Sequence, residues 1–436
     1  MSSFRLSIVG ILAVLLGYCC QNAFASDTGV IKLELQDAAA VGMGGAFTGE
    51  ADRPSAVYYN PAGITQMDTI EATAGLTWLQ PQVKFESATA NNGNTSQMKE
   101  DNNFFPDVFV ATPIIKNKLY IGLGESSDFG GGVDWEANSF SQYSTVKTAI
   151  NNQDYRLAAA YKINDQWSLG AGATNDQSHF EHDVALYQGP NSNGDALFKA
   201  NDNAWGFDLA TMFKLNDQNQ FGLDYKSPIQ HTYDGTLYLN SLNNNVSYET
   251  YFGGTSFSTK AIQKLTLPQS VTLGYDLKPT KKWTFNFDLE WTDWSQYKQQ
   301  TTYYPNLTNA GEKAVLGTGN PQARDWRSVW SESVGAQYAL TDAFRVRAGY
   351  EHHQTPIPEA TVDTEFPDSD SNAITAGIGY DITKNLTIDI AYVADFYTSR
   401  NVVNSVDGNL GPNSTPLSGK YSAFINVGTM SLTYKF

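Results

Sequence analysis

The chain has 436 residues, with 28 Lys and Arg against 45 Asp and Glu, a formal net charge of −17 and 13% aromatic side chains. So acidic a chain is a poor partner for nucleic acid, whose affinity comes from neutralised phosphates. Length alone allows two or three soluble domains, and so many aromatics raise the question of which surface they face.

The chain opens MSSFRLSIVGILAVLLGYCCQNAFAS. Arg5 precedes an apolar run from Ile8 to about Cys20, and Ala23-Phe24-Ala25 supplies the small-x-small pattern of a secretory cleavage site. The run is too short to span a bilayer as a helix. A competing reading acylates Cys19 or Cys20, although the bulky Tyr18 suits such a signal poorly. Cleavage after Ala25 makes residues 1–25 a signal peptide and removes both cysteines, leaving no thiol, disulfide or cysteine-based metal site. Nothing later reaches the roughly 18 consecutive apolar residues of a helical span.

Residues 26–68 precede the first strand. They include DAAAVGMGGAFTGEADRPS, which follows neither a helical nor a strand period, and end in AVYYNPAGI. Pro61 forces Asn60 out of helical geometry, and Gly42, Gly44, Gly45 and Gly49 permit close backbone approach. Such a segment suits a plug inside a barrel lumen; a periplasmic tail is the plainer alternative.

From residue 69 the chain alternates. In WTFNFDLEWTDW, Trp283, Phe285, Phe287, Leu289 and Trp291 share one face, and Thr284, Asn286, Asp288, Glu290 and Thr292 the other. Phe344-Val346-Ala348-Tyr350, Ile374-Ala376-Ile378-Tyr380 and Leu386-Ile388-Ile390-Tyr392 repeat the pattern. A soluble sandwich also alternates, but here the polar face carries full charges (Asp288, Glu290, Arg345, Arg347, Asp389) and Trp or Tyr closes the apolar face. That describes a barrel in lipid with a wet interior.

Connections alternate too. KINDQ, KLNDQNQ, KPTKK, LTDA and ITKN are short polar turns, separated by long Asn/Gly/Ser/Pro-rich inserts near 174–204, 226–264, 295–325, 351–371 and 397–420. Short turns on the periplasmic side and long loops outside are the outer-membrane arrangement, and the sheet must close because an open edge cannot face hydrocarbon. Counting segments gives about fourteen antiparallel strands, among them 118–128, 219–240, 260–278, 283–299, 324–340 and 419–436. The expected architecture is thus an all-β transmembrane barrel over 69–436, with residues 26–68 as an N-terminal hatch.

AAAVGMGGAFTGEADRPSAVYYNPAGI, including Asn60, Pro61 and Ala62, resembles the N-terminal hatch of the long-chain fatty-acid transporter (FadL) family. NAWGFDLATMFKL, LTLPQSVTLGYDLKPTKKWTF, EWTDWSQY and RVRAGYEHHQTPIPEATVDTEFPDSDS resemble further family stretches in the same order, over most of the mature chain. The resemblance implies a monomeric fourteen-stranded barrel, set among outer-membrane lipid and lipopolysaccharide of a Gram-negative bacterium. It takes a hydrophobic ligand from an outer groove to a pocket above the hatch and releases it sideways where the third strand kinks. In this chain that strand reads LYIGLGESSDFGGGVDW, so the implied opening falls at Phe129, Gly130, Gly131 and Gly132, glycines being residues that weaken pairing. An ordinary loop toward 133–150 is the alternative. The resemblance also places Arg324 or Arg327 near a substrate carboxylate; the alternative pairs them with Asp325 or Glu332. Where a second basic residue is expected the chain has NDQSHFEHD, which leaves monoaromatic hydrocarbons open as ligands, and a general porin for small polar solutes remains a rival of another class.

Metal and catalytic readings are weak. His179-x-x-His182 and His352-His353 have no third ligand at a recognisable spacing. Asp288 and Glu290 could mimic an acid/base pair, but charged lumen walls are normal in such barrels. No phosphate-binding loop occurs, so neither an enzyme nor a cofactor is expected.

Overall fold

The structure, a computed structural model, describes residues 32–88, 95–100, 102–139, 141–189, 192–317, 320–403 and 418–436. The expected signal peptide, 1–25, lies outside the described residues, as does most of the insert near 397–420. Among the described residues no helix is long and apolar enough to cross a membrane. Crossing is done by strands.

Fourteen antiparallel strands close into one barrel. They are β1 (Glu71–Ser87), β2 (Asn103–Ile115), β3 (Leu119–Ser126, resuming at Gly130–Asp134), β4 (Lys147–Lys162), β5 (Trp167–Gly189), β6 (Ser192–Asn216) and β7 (Asn219–Lys226, resuming at Ile229–Asn240). The ring continues with β8 (Phe257–Leu267 and Gln269–Leu277), β9 (Trp283–Asp293), β10 (Val329–Ala339), β11 (Phe344–His353), β12 (Ser371–Asp381), β13 (Leu386–Tyr397) and β14 (Gly419–Lys435). Each strand pairs with its neighbours, and β14 returns to β1 from Glu71↔Lys435 to Ser87↔Gly419, which closes the ring.

The two faces sort as the alternation requires. Phe287, Leu289, Ile378, Ile390 and Met430 are exposed on the outer face, while Asn286 and Asp389 are fully buried inside. At the short-turn end the outer face carries paired rings, Trp167 with Phe213 at 4.5 Å, Phe221 with Tyr275 at 4.8 Å and Trp283 with Tyr338 at 4.6 Å. Amphipathic rings in that place form a membrane-interface girdle.

Several boundaries differ from expectation, each for a local reason. The segment 283–299 leaves the sheet at Asp293, whose side chain caps a 3-10 turn over Trp294–Gln296, and β10 begins at Val329 rather than 324. The insert expected near 174–204 is not a loop. β5 and β6 run through it in register from Asp176↔Ala204 to Tyr187↔Asn193, with a shift before Gly189↔Ser192 and with Phe180 and Phe198 buried inward. Beyond the girdle, Trp135, Trp294, Tyr297, Trp326, Ile357 and Phe366 belong to a second apolar core formed by the outer loops and strand ends.

Residues 32–67 lie inside the barrel. Asp37 is fully buried and caps a short helix over Ala38–Val41. Its carboxylate also accepts from Ser55 at 2.7 Å, from Ser431 of β14 at 3.1 Å and from Arg53 at 2.8 Å. Arg53 in turn reaches Asp389 of β13 at 2.8 Å and Thr433 of β14 at 2.7 Å. On the other side of the lumen, Asp288 of β9 accepts the backbone N–H groups of Phe47 and Thr48 at 3.0 and 2.8 Å. Wall glycines make the fit possible: a Cβ on Gly222 would overlap the Thr48 carbonyl, and one on Gly274 the Gly49 amide.

Candidate functional site

Asn60-Pro61-Ala62 is a corner. Asn60 is extended (φ −167°, ψ 96°), as a residue before proline must be, and its side chain accepts from the Ala62 N–H at 3.1 Å. It also donates to the Thr48 carbonyl at 3.0 Å and to the Thr211 carbonyl of β6 at 3.3 Å. Pro61 opens a 3-10 turn, Pro61–Gln66, at the position where a missing N–H costs nothing. Ala62 packs where a Cβ on Gly170 would meet its amide. The motif therefore pins the segment to the wall and touches neither of the cavities described below.

The wall is broken at the third strand. The β2–β3 ladder runs from Ile115↔Leu119 to Val108↔Glu125 and stops. Beyond it, Asn103–Asp107 pairs with β1 and Gly130–Asp134 with β4. The break falls at Ser127–Phe129, so of the four residues expected there, Phe129 to Gly132, only Phe129 lies in it; Gly130, Gly131 and Gly132 are strand again, with Gly131 at φ 150°. The N-terminal segment holds the kink from inside. Leu33 N–H donates to the Asp128 carbonyl at 2.7 Å, and Gln36 Nε2 to the Ser127 carbonyl at 2.9 Å. Arg156 of β4 pairs with the Asp128 carboxylate.

Above the segment lies a cavity of about 140 Å³. One side is apolar, with Leu33, Leu79, Val393, Ile425 and Val427; the other carries Lys32, Glu34, Glu351, His353 and Asp368. Lys32 pairs with Glu290 of β9 and with Glu34 at 2.6 Å. Burial works against its charge, but Glu290 and Glu34 hold the ammonium protonated above its ordinary range. Burial would likewise raise Glu34, yet Lys32 and His353 hold its carboxyl below the usual carboxylate range. His353 Nε2 lies 2.9 Å from Glu351 and 3.9 Å from Glu34. Folding thus brings His353 together with Glu34 and Glu351, three donors within 4.8 Å of one another that sequence spacing did not connect. Each is already engaged in an ion pair. Asp288 and Glu290 are spent on holding the N-terminal segment, the first through backbone amides and the second through Lys32.

A smaller cavity of about 30 Å³ shares Lys32 and reaches Phe129, Tyr58, Gly206, Lys226 and Ile229. There the Lys226 ammonium stands 3.6 Å over the Tyr58 ring, a cation–π contact, and among the described residues it has no ion-pair partner. Sequence reasoning missed Lys226; its one signal was a lysine two residues after Asp224, on the same inward face of the strand end.

Arg324 and Arg327 are not brought together around either cavity. Arg324 is fully buried among the outer loops, paired with Asp363 and Glu365, bonded to Gln300 and set 5.0 Å over Phe366. Its partners are therefore neither Asp325 nor Glu332. With both carboxylates in place, Arg324 anchors the 353–371 connection over the mouth. Arg327 is exposed and its guanidinium reaches the Thr355 carbonyl at 3.5 Å.

The profile of outer membrane protein transport proteins (OMPP1/FadL/TodX) matches residues 23–436. The chain is 24% identical over 401 residues to the long-chain fatty acid transport protein of Escherichia coli (strain K12), covering 82% of this chain and 86% of that protein. Among solved structures it is similar to a Pseudomonas aeruginosa FadL homologue, with TM-score 0.80 and 21% identity over 93% of this chain and 100% of that one. It is also similar to the Pseudomonas putida toluene transporter TodX, with TM-score 0.67 and 15% identity over 95% and 99% of the two chains.

Proposed function

The chain belongs to this family of outer-membrane transport proteins, and on that premise we propose that it carries long-chain fatty acids or similar hydrophobic compounds inward by passive diffusion. The route runs through the cavity above the N-terminal hatch and leaves sideways at the β3 break. One observation carries the reading. The cavity is apolar on one side and charged on the other, and the same residues, Lys32 and Leu33, line it and hold the broken strand. A ligand that displaces them disturbs the kink directly, so binding and opening share one contact. Diffusion down a gradient needs no nucleotide.

Monoaromatic hydrocarbons are the second reading. The cations of the larger cavity, Lys32 and His353, are already paired with carboxylates, which suits a ligand without charge; in the smaller cavity Lys226 shares the lining with Asp128, Asp154 and Asp208. A general porin is a poor fit to a lumen occupied by residues 32–67. Uptake of labelled oleate and of labelled toluene, by cells lacking their own transporters, tests the proposal. Gain of either supports it. Gain of neither, with the barrel assembled at the surface, refutes it.

A further inference from the structure

A second break in the wall lies between β6 and β7. Their ladder holds from Asn216↔Asn219 up to Asp208↔Lys226, then stops, and pairing resumes only at Lys199↔Thr236. Between these points Ala200–Phe207 of β6 faces Ser227–Gly235 of β7 without ladder register. The cause is in the sequence. Pro228 has no N–H to give a ladder and is confined to bulges or edges. β7 therefore leaves β6 at Ser227-Pro228 while keeping its pairing to β8, Ile229↔Leu267 and Ser270↔Lys226.

A few isolated contacts, most of them from side chains, close the break where the ladder does not. Ser227 Oγ accepts the Phe207 N–H at 2.9 Å, and Ser227 N–H donates to the Phe207 carbonyl at 2.8 Å. Higher up, the Asp202 carboxylate bridges to Thr232 N–H at 2.9 Å and His231 Nδ1 at 3.0 Å. Between these two ties the seal is Ile229, whose side chain occupies the space that a Cβ on Gly206 would take. On the lumen side, Gly206, Phe207 and Ile229 line the smaller cavity, which extends to Phe129 at the β3 break. On the outside, Trp205 and Phe207 are 68% and 50% exposed, with Leu209 below them and the exposed Asn203 and Asn201 above. Apolar residues giving way to Trp and then to Asn mark the outer membrane interface.

We propose that the β6–β7 break is a second lateral doorway, through which a hydrophobic ligand passes between the outer-leaflet interface and the smaller lumen cavity, with Ile229 as its seal and the Asp202–His231 contact as its latch. This rests on the transport reading above. The doorway lies four strands from the β3 break, and one cavity touches both. A lipophile dissolved in the outer leaflet therefore has a route to the lumen that bypasses the loop-covered mouth.

The test closes the doorway and then frees it. Asn203→Cys with Gln230→Cys puts two outward thiols on either side of the break, to be joined by a short, reducible bis-thiosulfonate reagent. Val334→Cys with Tyr350→Cys, directly paired across intact β10–β11, is the control. In proteoliposomes loaded with radiolabelled oleate or toluene in the lipid phase, cross-linking at 203/230 should lower the initial transfer rate at least fivefold, with recovery on reduction; the control cross-link should change nothing. Asp202→Ala, which removes the latch without reagents, should raise the rate at least twofold. If the parent transfers probe and neither the cross-link nor Asp202→Ala alters its rate, the doorway is refuted and the transport reading stands. If the parent transfers no probe, the transport reading falls and the doorway with it.

Discussion

Arg53 is the tie that fixes the N-terminal segment to the β13–β14 wall, and Arg53→Met tests whether that segment is held by charge. The guanidinium serves three acceptors, Asp37, Asp389 and Thr433, and both carboxylates are fully buried. Removing one partner of a buried ion pair costs about 3–5 kcal/mol. The lower end applies, because Asp37 keeps Ser55, Ser431 and the Ala39 N–H, and Asp389 keeps Arg347 at 2.7 Å. A loss of about 3 kcal/mol raises the undocked population roughly a hundredfold, since each 1.4 kcal/mol is a factor of ten. Hydrogen exchange read by mass spectrometry, on protein in lipid vesicles, should show amides of residues 38–60 losing about two orders of magnitude of protection. The β1–β14 seam should be unchanged. Arg345→Met is the contrast: its partner Asp381 is at the partly exposed turn end, where ion pairs are worth at most about 1 kcal/mol, and exchange in 38–60 should not move. Equal protection in Arg53→Met and the parent would refute charge-held docking.

Two further outcomes follow from single contacts. Gly222→Val places a side chain against the Thr48 carbonyl; the barrel should still assemble by its heat-modified mobility on gels, while protease sites within residues 32–67 become accessible. Asp368, in the connection between β11 and β12, has its carboxyl pushed up to about 6 by burial, against the opposing pull of the Thr355 hydroxyl. Its charged form is the costly one in the folded state, so the cost is present above about pH 6 and is relieved as pH falls toward the ordinary value of 3.8. The urea midpoint of Asp368→Asn in vesicles should therefore exceed the parent's at pH 7.5, and the gap should narrow by pH 5; a gap that widens on acidification contradicts the burial argument.

Alternation carried most of the fold. Because a strand's side-chain period is two, the runs from Trp283, Phe344 and Leu386 told which atoms face outward and which meet the lumen, and the short polar turns marked one end of the barrel. What sequence reasoning missed came from contacts remote along the chain. Arg324 finds Asp363 and Glu365 in the connection following β11, and His353 finds Glu34 on the segment inside the barrel; no local period encodes either meeting. The 219–240 stretch read as one strand although it contains Pro228, which was the available sign of its break. Of the stretch expected to kink, Phe129–Gly132, only Phe129 lies in the break at Ser127–Phe129, where Leu33 and Gln36 bond to the Asp128 and Ser127 carbonyls from inside the lumen, contacts that no local pattern encodes.

The central claim is that the lumen is closed by its own N-terminal segment, and the single-channel conductance of the barrel in planar bilayers tests it most directly. The parent should be nearly silent, and a variant lacking residues 27–64 should assemble and pass a steady ionic current through the vacated lumen. A deletion variant as tight as the parent, or a parent that already conducts as a wide pore, would contradict the account.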